Sequence, residues 1–298
     1  MASRPQVEAG TLAVVARRGK PDREAGRRRG GFVRWVELDD RDADRSRYPF
    51  ALPVTAALRA AGRLELDPRV TFLVGDNGTG KSTLVEAIAV ALGFNAEGGS
   101  VNFRFATRPT ESELGQHLRV IRGVGKPRST FFLRAESFYN VASEVERLAQ
   151  EHNPHRFLQA YGGVSPHERS HGESFLDLVH HRFTPGGLYL LDEPEAALSV
   201  HGCLAMLARI HELAKAGSQF IIATHSPILL AVPGARILEL GTDGIIRRVA
   251  YDDALPVAVT RSFLDDPARY LHYLLSEEGE SSLSTSSASS ASSDEKRR

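Results

Sequence analysis

Short apolar runs alternate with helical patterns between about residues 31 and 275. Four runs have the length and composition of strands: Phe32–Leu38, Arg69–Val74, Gly187–Leu191 and Gln219–Ala223. Between them, the spacing of apolar residues predicts a helix from Lys81 to Leu92, which Gly93 ends, and another from about Ala197 to Ala216. Strands separated by helices favour an α/β fold with a mostly parallel central sheet and helices on both faces.

From about residue 100 to residue 136 the pattern changes to alternation. Apolar side chains fall on one strand face and basic ones on the other: Val101, Phe103 and Phe105 against Arg104 and Arg108. We therefore predict an antiparallel β insert over about residues 100–136, which the run Thr130–Glu136 closes. Helical patterns then begin at Val141 and at Glu173, within a region of about residues 140–185.

Both ends of the chain lack apolar periodicity. A basic arm in residues 1–30 carries seven basic and two acidic residues between Arg17 and Arg29, and residues 276–298 contain ten serines. Neither segment can bury enough apolar surface to offset the entropy of ordering it. We therefore predict one folded domain, residues 31–275, between two disordered ends.

The composition excludes several classes of protein. The 37 Lys and Arg balance 37 Asp and Glu, and 42% hydrophobic residues are typical of a globular protein. No stretch approaches 18 consecutive apolar residues, and the N-terminus lacks the apolar block of a secretory signal. The single cysteine, Cys203, makes neither an intramolecular disulfide nor a zinc cluster. We expect a cytoplasmic protein that does not insert into a membrane.

The clearest chemical motif follows the second predicted strand. The run Gly75-Asp-Asn-Gly-Thr-Gly-Lys-Ser82 matches the P-loop pattern, and it lies between a strand and a helix as the motif requires. Its glycines let backbone N–H groups converge on a polyphosphate, toward which the helix N-terminus also points. The predicted nucleotide-binding residues are Gly75, Asp76, Asn77, Gly78, Thr79, Gly80, Lys81, Ser82 and Thr83. We expect ATP and Mg²⁺ as ligands, with Lys81 on the β- and γ-phosphates and Ser82 on the metal.

Two further predicted strands end in polar side chains. Asp192 and Glu193 follow the apolar run that begins at Gly187, at the strand end where open α/β sheets bind ligands. We expect Asp192 to hold Mg²⁺, through water, and Glu193 to orient and deprotonate the attacking water. His225 follows the next strand and is a candidate hydrogen-bond donor to the γ-phosphate.

The order of these motifs resembles the ABC-type ATPase superfamily, which includes transporter motor subunits and the RecF and SMC DNA-repair ATPases. The resemblance covers about residues 48–240 and is sharpest with a group of small bacterial ATPases labelled AAA-family or ATP-binding proteins. It implies ATP hydrolysis to ADP and phosphate by a nucleotide-sandwiched dimer.

The resemblance also implies roles for one loop and for two further residues, Glu136 and Tyr48. In this family a Leu-Ser-Gly-Gly-Gln loop completes the ATP site of the opposite subunit; here Ser170 and Gly172 are retained, while His171 and Glu173 replace a Gly and the Gln. Glu136 stands where the family has a metal-associated Gln. Tyr48 either stacks on adenine, as an upstream aromatic does in transporter motors, or packs at the entry of a strand.

The residues after the catalytic carboxylates bear on the kind of ATPase. Transporter motors typically read Asp-Glu-Pro-Thr-Ser-Ala-Leu-Asp, whereas Glu195 and Ser199 here resemble soluble DNA-associated relatives. The 111 residues from Lys81 to Asp192 (192 − 81) leave no room for an SMC coiled coil. We favour a switch acting on DNA or on a DNA-repair or defence partner. The first alternative is a transporter motor subunit. The second is a nucleotide-binding regulator without turnover, and Glu193 argues against it, because a protein that only binds nucleotide needs no catalytic carboxylate.

Basic residues in the predicted insert suggest a partner. Seven lie between residues 101 and 134 against two glutamates: Arg104, Arg108, Arg119, Arg122, Lys126, Arg128 and Arg134. Positive charge on an outward face is suited to a sequence-independent contact with a DNA backbone. Charge runs of this kind nevertheless favour the alternative, a basic face that is merely solvated.

Overall fold

Two sheets organise the fold in a computed structural model, which describes residues 31–96, 98–99, 113–136, 138 and 171–276. The strands within these residues are β1 (Val33–Leu38), β2 (Leu64–Glu65), β3 (Val70–Val74), β4 (Leu118–Arg122), β5 (Thr130–Arg134), β6 (Leu188–Asp192), β7 (Gln219–Ala223), β8 (Arg236–Leu240) and β9 (Ile246–Val249). Six of them form the central sheet in the order β5-β6-β7-β3-β8-β9, in which every pair but β8–β9 is parallel.

Helices cover both faces of this sheet, because its strands alternate side chains between two apolar clusters. Phe72 of β3 packs in one cluster and the adjacent Leu73 in the other. The helices within the described residues are α1 (Pro53–Ala61), α2 (Lys81–Leu92), α3 (Glu113–Gln116), α4 (His171–Arg182), α5 (Val200–Lys215), α6 (Pro227–Leu230), α7 (Leu255–Asp265) and α8 (Pro267–Leu274). Helix α2 packs with Leu73, and α4 and α5 pack with Phe72. The predicted α/β class with a mostly parallel sheet is confirmed.

The second sheet is antiparallel, and it corrects the prediction for residues 100–136. Its order is β2-β1-β4, so residues 118–122 pair with β1 near the start of the domain. The segment Thr130–Arg134 is β5 of the central sheet, parallel to β6, with Phe131, Phe132 and Leu133 fully buried. Its antiparallel pairing within the described residues is a single bridge between Phe132 and Gly99. An apolar run buried on both faces is typical of a parallel strand.

Several predicted features lie outside the described residues. These are the alternating segment 101–108, the helical pattern from Val141 and both predicted disordered ends except Ser276. Of the helices within the described ranges, none has the length and apolar character needed to cross a membrane.

One buried side chain joins the two sheets. Gln219, at the start of β7, accepts a hydrogen bond from the Val33 N–H (2.8 Å) and donates to the Val33 carbonyl (2.7 Å) and to the Asp67 carbonyl (2.8 Å). The amide thereby continues the hydrogen bonding of β1 across to the central sheet. These contacts fix the antiparallel sheet against the strands that carry the candidate site.

Candidate functional site

The loop between β3 and α2 needs glycine at two positions where other chain segments approach. Gly75 has φ +141°, and a Cβ there would overlap the Leu240 carbonyl oxygen. Gly80 has φ +97°, and a Cβ there would overlap the Val54 side chain. The Thr79 hydroxyl closes the turn by donating to the Asp76 carbonyl at 2.8 Å. The loop therefore has the tight curvature that brings backbone N–H groups together at the start of α2.

Lys81 lies inside this loop. Its side chain is buried, with 4% exposure, and its Nζ donates to the carbonyls of Gly75 and Asp76, both at 2.9 Å. The pKa of Lys81 is lowered, because the effect of desolvation exceeds the opposing effect of the nearby carboxylates, among which Glu193 contributes most. A desolvated ammonium group held by two carbonyl oxygens is positioned to interact with phosphate oxygens.

Asp192 lies at the carboxyl end of β6, two strands from the loop. It is 6% exposed, and burial raises its pKa to about 6, against the opposing effects of the Ser82 hydroxyl, which hydrogen-bonds to it, and of Arg134. Arg134 Nε lies 3.4 Å from Asp192 Oδ2, because Arg134 and Asp192 are register partners in β5 and β6. The structure thus brings together two of the three predicted metal-binding residues, Ser82 and Asp192, whereas the third, Glu136, is exposed.

These two side chains fit Mg²⁺. Asp192 Oδ1 is buried without a hydrogen-bond partner among the described residues, so one carboxylate lone pair is available. Mg²⁺ prefers such hard oxygen ligands and is usually held by one or two carboxylates together with phosphate oxygens and water. The described ranges contain no group of three or more His, Cys, Asp or Glu side chains that could hold a metal ion.

Glu193 and His225 meet across the ends of β6 and β7. Glu193 has φ +48°, the one positive φ among the described non-glycine residues, and its N–H donates to the Ala223 carbonyl at 2.9 Å. Its Oε1 lies 3.7 Å from His225 Nε2, a buried atom without a hydrogen-bond partner in the described part of the chain. Left-handed backbone at a non-glycine residue is uncommon and concentrates at functional sites.

Glu195 is a site residue to which the sequence analysis gave no role at the site. The turn Pro194–Ala197 brings its side chain over the end of β7, where Oε1 accepts a hydrogen bond from the His225 N–H at 2.5 Å. The other oxygen, Oε2, is buried and has no partner among the residues described. The available sequence signal is the glutamate directly after Asp-Glu-Pro, which by itself distinguishes kinds of ATPase but does not indicate a contact with His225.

Arg134 lies at the candidate site, although its position in the sequence predicts an outward-facing basic residue. It was counted with the outward basic residues, but its Nη1 donates to Glu86 of α2 at 2.8 Å and its guanidinium lies beside Asp192. Glu136, the predicted metal-associated residue, is 86% exposed and lies 3.7 Å from Arg134 Nη2. Arg134 therefore belongs to the site and not to a DNA-facing surface.

Two other predictions concern the loop with Ser170 and Gly172, which is described only in part, and Tyr48. Ser170 lies outside the described residues, whereas Gly172 lies in the first turn of α4, where a Cβ would contact the Ala197 carbonyl oxygen at 3.1 Å. Gly172 thus packs on the turn that follows Glu193. Tyr48 is 71% exposed, with its hydroxyl 3.5 Å from Thr83 Oγ1, so it is not a packed strand entry.

Comparisons with known proteins agree with these motifs. Residues 60–147 match the family model described as AAA domain. The chain is 26% identical over 176 residues to the ABC transporter G family member STR2 of Medicago truncatula, covering 53% of this chain and 24% of that protein. It is 23% identical over 214 residues to the ribose import ATP-binding protein RbsA of Bacillus cereus, covering 65% and 42%. The chain thus spans less than half the length of these curated relatives.

Solved structures with similar folds include the SMC head domain from Thermotoga maritima, at 19% identity and a TM-score of 0.33 over 63% of this chain and 92% of that one. A dimeric ATP-binding cassette in a post-hydrolysis state, bound to ADP and Pi, matches at 18% identity and a TM-score of 0.39 over 63% and 88%. The resemblance to P-loop ATPases of the ABC type that the sequence indicates rests on the P-loop and the Asp192 strand, and the AAA domain match over residues 60–147 bears it out.

Proposed function

We propose that this protein binds ATP with Mg²⁺ and hydrolyses it to ADP and phosphate. The observation that carries the proposal is the convergence of Lys81, Ser82, Asp192, Glu193 and His225 at the carboxyl ends of the adjacent strands β3, β7 and β6. This edge of a parallel sheet is where α/β proteins bind their ligands.

Each side chain has a distinct role in the proposed reaction. The N–H groups of the loop and Lys81 hold the β- and γ-phosphates, whose oxygens replace the Gly75 and Asp76 carbonyls as acceptors for Nζ. Ser82 and Asp192 would hold Mg²⁺, which would neutralise phosphate charge when bound. Glu193 orients the attacking water and accepts its proton, and His225 donates a hydrogen bond to the γ-phosphate. Glu136 is connected to Asp192 through Arg134, since the Arg134 guanidinium lies 3.7 Å from Glu136 Oε2 and 3.4 Å from Asp192 Oδ2.

A glutamine at position 193 tests the chemical step. Glu193→Gln keeps the size and hydrogen-bonding ability of the side chain but removes its basicity, so kcat should fall by about 10²–10⁴ while ATP affinity stays the same. Steady-state phosphate release and equilibrium nucleotide binding measure the two quantities. Glu212→Gln is the matched control, since Glu212 is exposed on α5. A fall in kcat of less than about threefold would reject Glu193 as the base.

The proposed biological role is that of an ATP-dependent homodimeric switch acting in the cytoplasm on DNA or on a DNA-repair or defence partner. The residues after Asp192 support this role over the alternative, a transporter motor subunit, which the names of the two curated relatives favour. The described part of the basic surface lies on β4 and the loop after it, where four basic residues are exposed: Arg119, Arg122, Lys126 and Arg128. Arg104 and Arg108 lie outside the described residues.

DNA-dependent ATP hydrolysis distinguishes these roles. Steady-state rates with double-stranded DNA, with single-stranded DNA and without DNA should differ for the wild type, and Lys126→Glu should reduce the difference because it reverses a phosphate-contacting charge. Lys215→Glu, at the exposed end of α5, is the control for a charge change elsewhere. Equal rates with and without DNA would contradict the DNA role and leave the transporter alternative.

A further inference from the structure

The position of His225 depends on a side chain from the neighbouring strand connection. Strands β6 and β7 are parallel neighbours, so Glu193 and His225 leave the sheet at the same edge. The left-handed backbone at Glu193 directs the chain into the turn Pro194–Ala197. That turn folds back toward β7 and places the Glu195 carboxylate on the backbone of His225.

The backbone N–H groups of residues 224, 225 and 226 each donate a hydrogen bond, and the acceptor for residue 225 is Glu195. The Thr224 N–H donates to the Leu73 carbonyl, and the Ser226 N–H donates to Thr224 Oγ1 at 3.0 Å. At His225 itself the N–H donates to Glu195 Oε1, at 2.5 Å. A hydrogen bond to an ionised acceptor is shorter and stronger than a neutral one, so it defines the backbone position tightly.

The hydrogen bond from the His225 N–H to Glu195 fixes the backbone from which the imidazole extends, and so affects the distance between the imidazole and Glu193. His225 Nε2 and Glu193 Oε1 are 3.7 Å apart, slightly beyond hydrogen-bond range. A shift of the residue 225 backbone by 1 Å would either close this gap or remove the contact. Geometry of this kind affects rate strongly, because misplacing a reacting group by about 1 Å costs about 10²-fold.

We propose that Glu195 is a positioning residue, which holds His225 against Glu193 through its hydrogen bond to the His225 N–H. The proposal rests on the proposed ATPase function for its effect on rate, but the effect on the imidazole itself does not depend on hydrolysis. Glu195 touches neither substrate nor metal in this account. It acts through the backbone of His225.

Two substitutions separate the hydrogen bond from the charge. Glu195→Ala removes both, whereas Glu195→Gln removes the charge and retains an acceptor oxygen at the same reach. Glu195→Ala should lower kcat by about 10- to 100-fold with KM for ATP unchanged. Glu195→Gln should recover most of this loss, since a neutral hydrogen bond is about half as strong as a charge-assisted one. Glu212→Ala is the control on α5.

A double-mutant cycle shows whether Glu195 acts through His225. In the His225→Asn background, Glu195→Ala should lower the residual kcat by less than about twofold, because two residues of one network are not additive. If Glu195→Ala lowered kcat by the same factor with and without His225, the proposed route through His225 would be wrong. Thermal unfolding of each variant identifies any that fail to fold, in which case Glu195→Asp, with a shorter reach, takes the place of Glu195→Ala.

Nuclear magnetic resonance of isotope-labelled histidine tests the positioning without hydrolysis. The His225 ring signals are assigned by their loss in His225→Asn. They should move in Glu195→Ala and remain near the wild-type position in Glu195→Gln. If the wild type hydrolyses no ATP while these signals behave as expected, the ATPase proposal fails and the positioning role stands. Unchanged His225 signals in Glu195→Ala would overturn the positioning role whatever the ATPase rate.

Discussion

Buried polar atoms without partners mark the site at the scale of single residues. Three of them surround the end of β6 and have no hydrogen-bond partner among the described residues: Arg134 Nε, Asp192 Oδ1 and His225 Nε2. Burying a polar atom without a partner costs about 1–3 kcal/mol, so such atoms are rare unless a ligand satisfies them. Their grouping beside the P-loop therefore supports binding of a polar ligand there.

The pKa of Asp192 leads to a pH-dependent prediction for the metal-free protein. Burial raises this pKa from 3.8 to about 6, so the folded state binds a proton that the unfolded state has lost between these values. Stability consequently falls as pH rises from about 4 to about 6, by at most about 3 kcal/mol. Asp192→Asn lacks this titration, so its free energy of unfolding relative to the wild type should rise over this interval and level off above it.

Urea unfolding from pH 4 to pH 7.5 in the presence of a chelator measures this difference. Asp265→Asn is the control, since Asp265 is exposed on α7. Added Mg²⁺ should stabilise the wild type above pH 6 and have no such effect on Asp192→Asn, because a cation binds the ionised carboxylate. Parallel stability curves for wild type and Asp192→Asn would show that folding does not raise the pKa of Asp192.

Arg134 shows where single-residue reasoning from sequence fails. Counting basic residues between 101 and 134 treats each as part of one face, but a count does not say which way a side chain points. Arg134 contacts the carboxylates of Glu86 and Asp192, both from elements distant in sequence. The P-loop was predictable because its residues are contiguous, whereas the environment of Arg134 depends on the pairing of β5 with β6.

At the scale of elements, predictions succeeded where the local pattern determines the structure. Helix α2 begins at Lys81 and ends at Leu92 as predicted, because glycines in left-handed conformations flank it at both ends. The segment Thr130–Arg134 was correctly expected to be a strand but was assigned to the wrong sheet. An apolar run indicates a strand but does not indicate which strand pairs with it. The pairing strand here, β6, begins 54 residues after β5 ends (188 − 134), so no local pattern predicts the pairing.

The junction between the two sheets gives a stability prediction. Gln219→Leu leaves the N–H and carbonyl of Val33 and the carbonyl of Asp67 without their partner, in a fully buried position. Unpaired buried polar groups cost about 1–3 kcal/mol each, and relaxation reduces the sum, so we expect a loss of about 3 kcal/mol in the free energy of unfolding. Urea denaturation measures it, with the exposed Gln116→Leu on α3 as control. A loss below about 1 kcal/mol would mean that other contacts hold the sheets together.

At the scale of the whole molecule, the turn after Glu193 connects the site to one outer surface. Gly172 of α4 packs on this turn at the Ala197 carbonyl, and Val200 and Leu204 of α5 are 64% and 51% exposed nearby in the chain. The family resemblance implies that the loop containing Ser170 and Gly172 completes the ATP site of a second subunit. A second copy bound at this surface would therefore be coupled to Glu193 and His225 through one short turn.

This arrangement predicts nucleotide-dependent dimerisation. Glu193→Gln, which retains ATP, should be a dimer with ATP and largely a monomer with ADP or without nucleotide. The γ-phosphate supplies the charge on which the facing loop closes, and its differential affinity for the closed state shifts the population. Light scattering in the three conditions measures the mass, and the monomer mass in all three would reject the sandwich.

Ser170→Arg tests whether the second copy completes the site, because a bulky side chain at that position obstructs closure. It should block dimerisation and hydrolysis together while leaving ATP binding by the monomer intact. Thr260→Arg, exposed on α7, is the control and should remain a dimer with ATP in the Glu193→Gln background. Since hydrolysis requires both surfaces only if the site is shared, Ser170→Arg with full ATPase activity would show that each protomer hydrolyses ATP alone. In that case His171 and Glu173 would mark a loop without the role that the family resemblance implies.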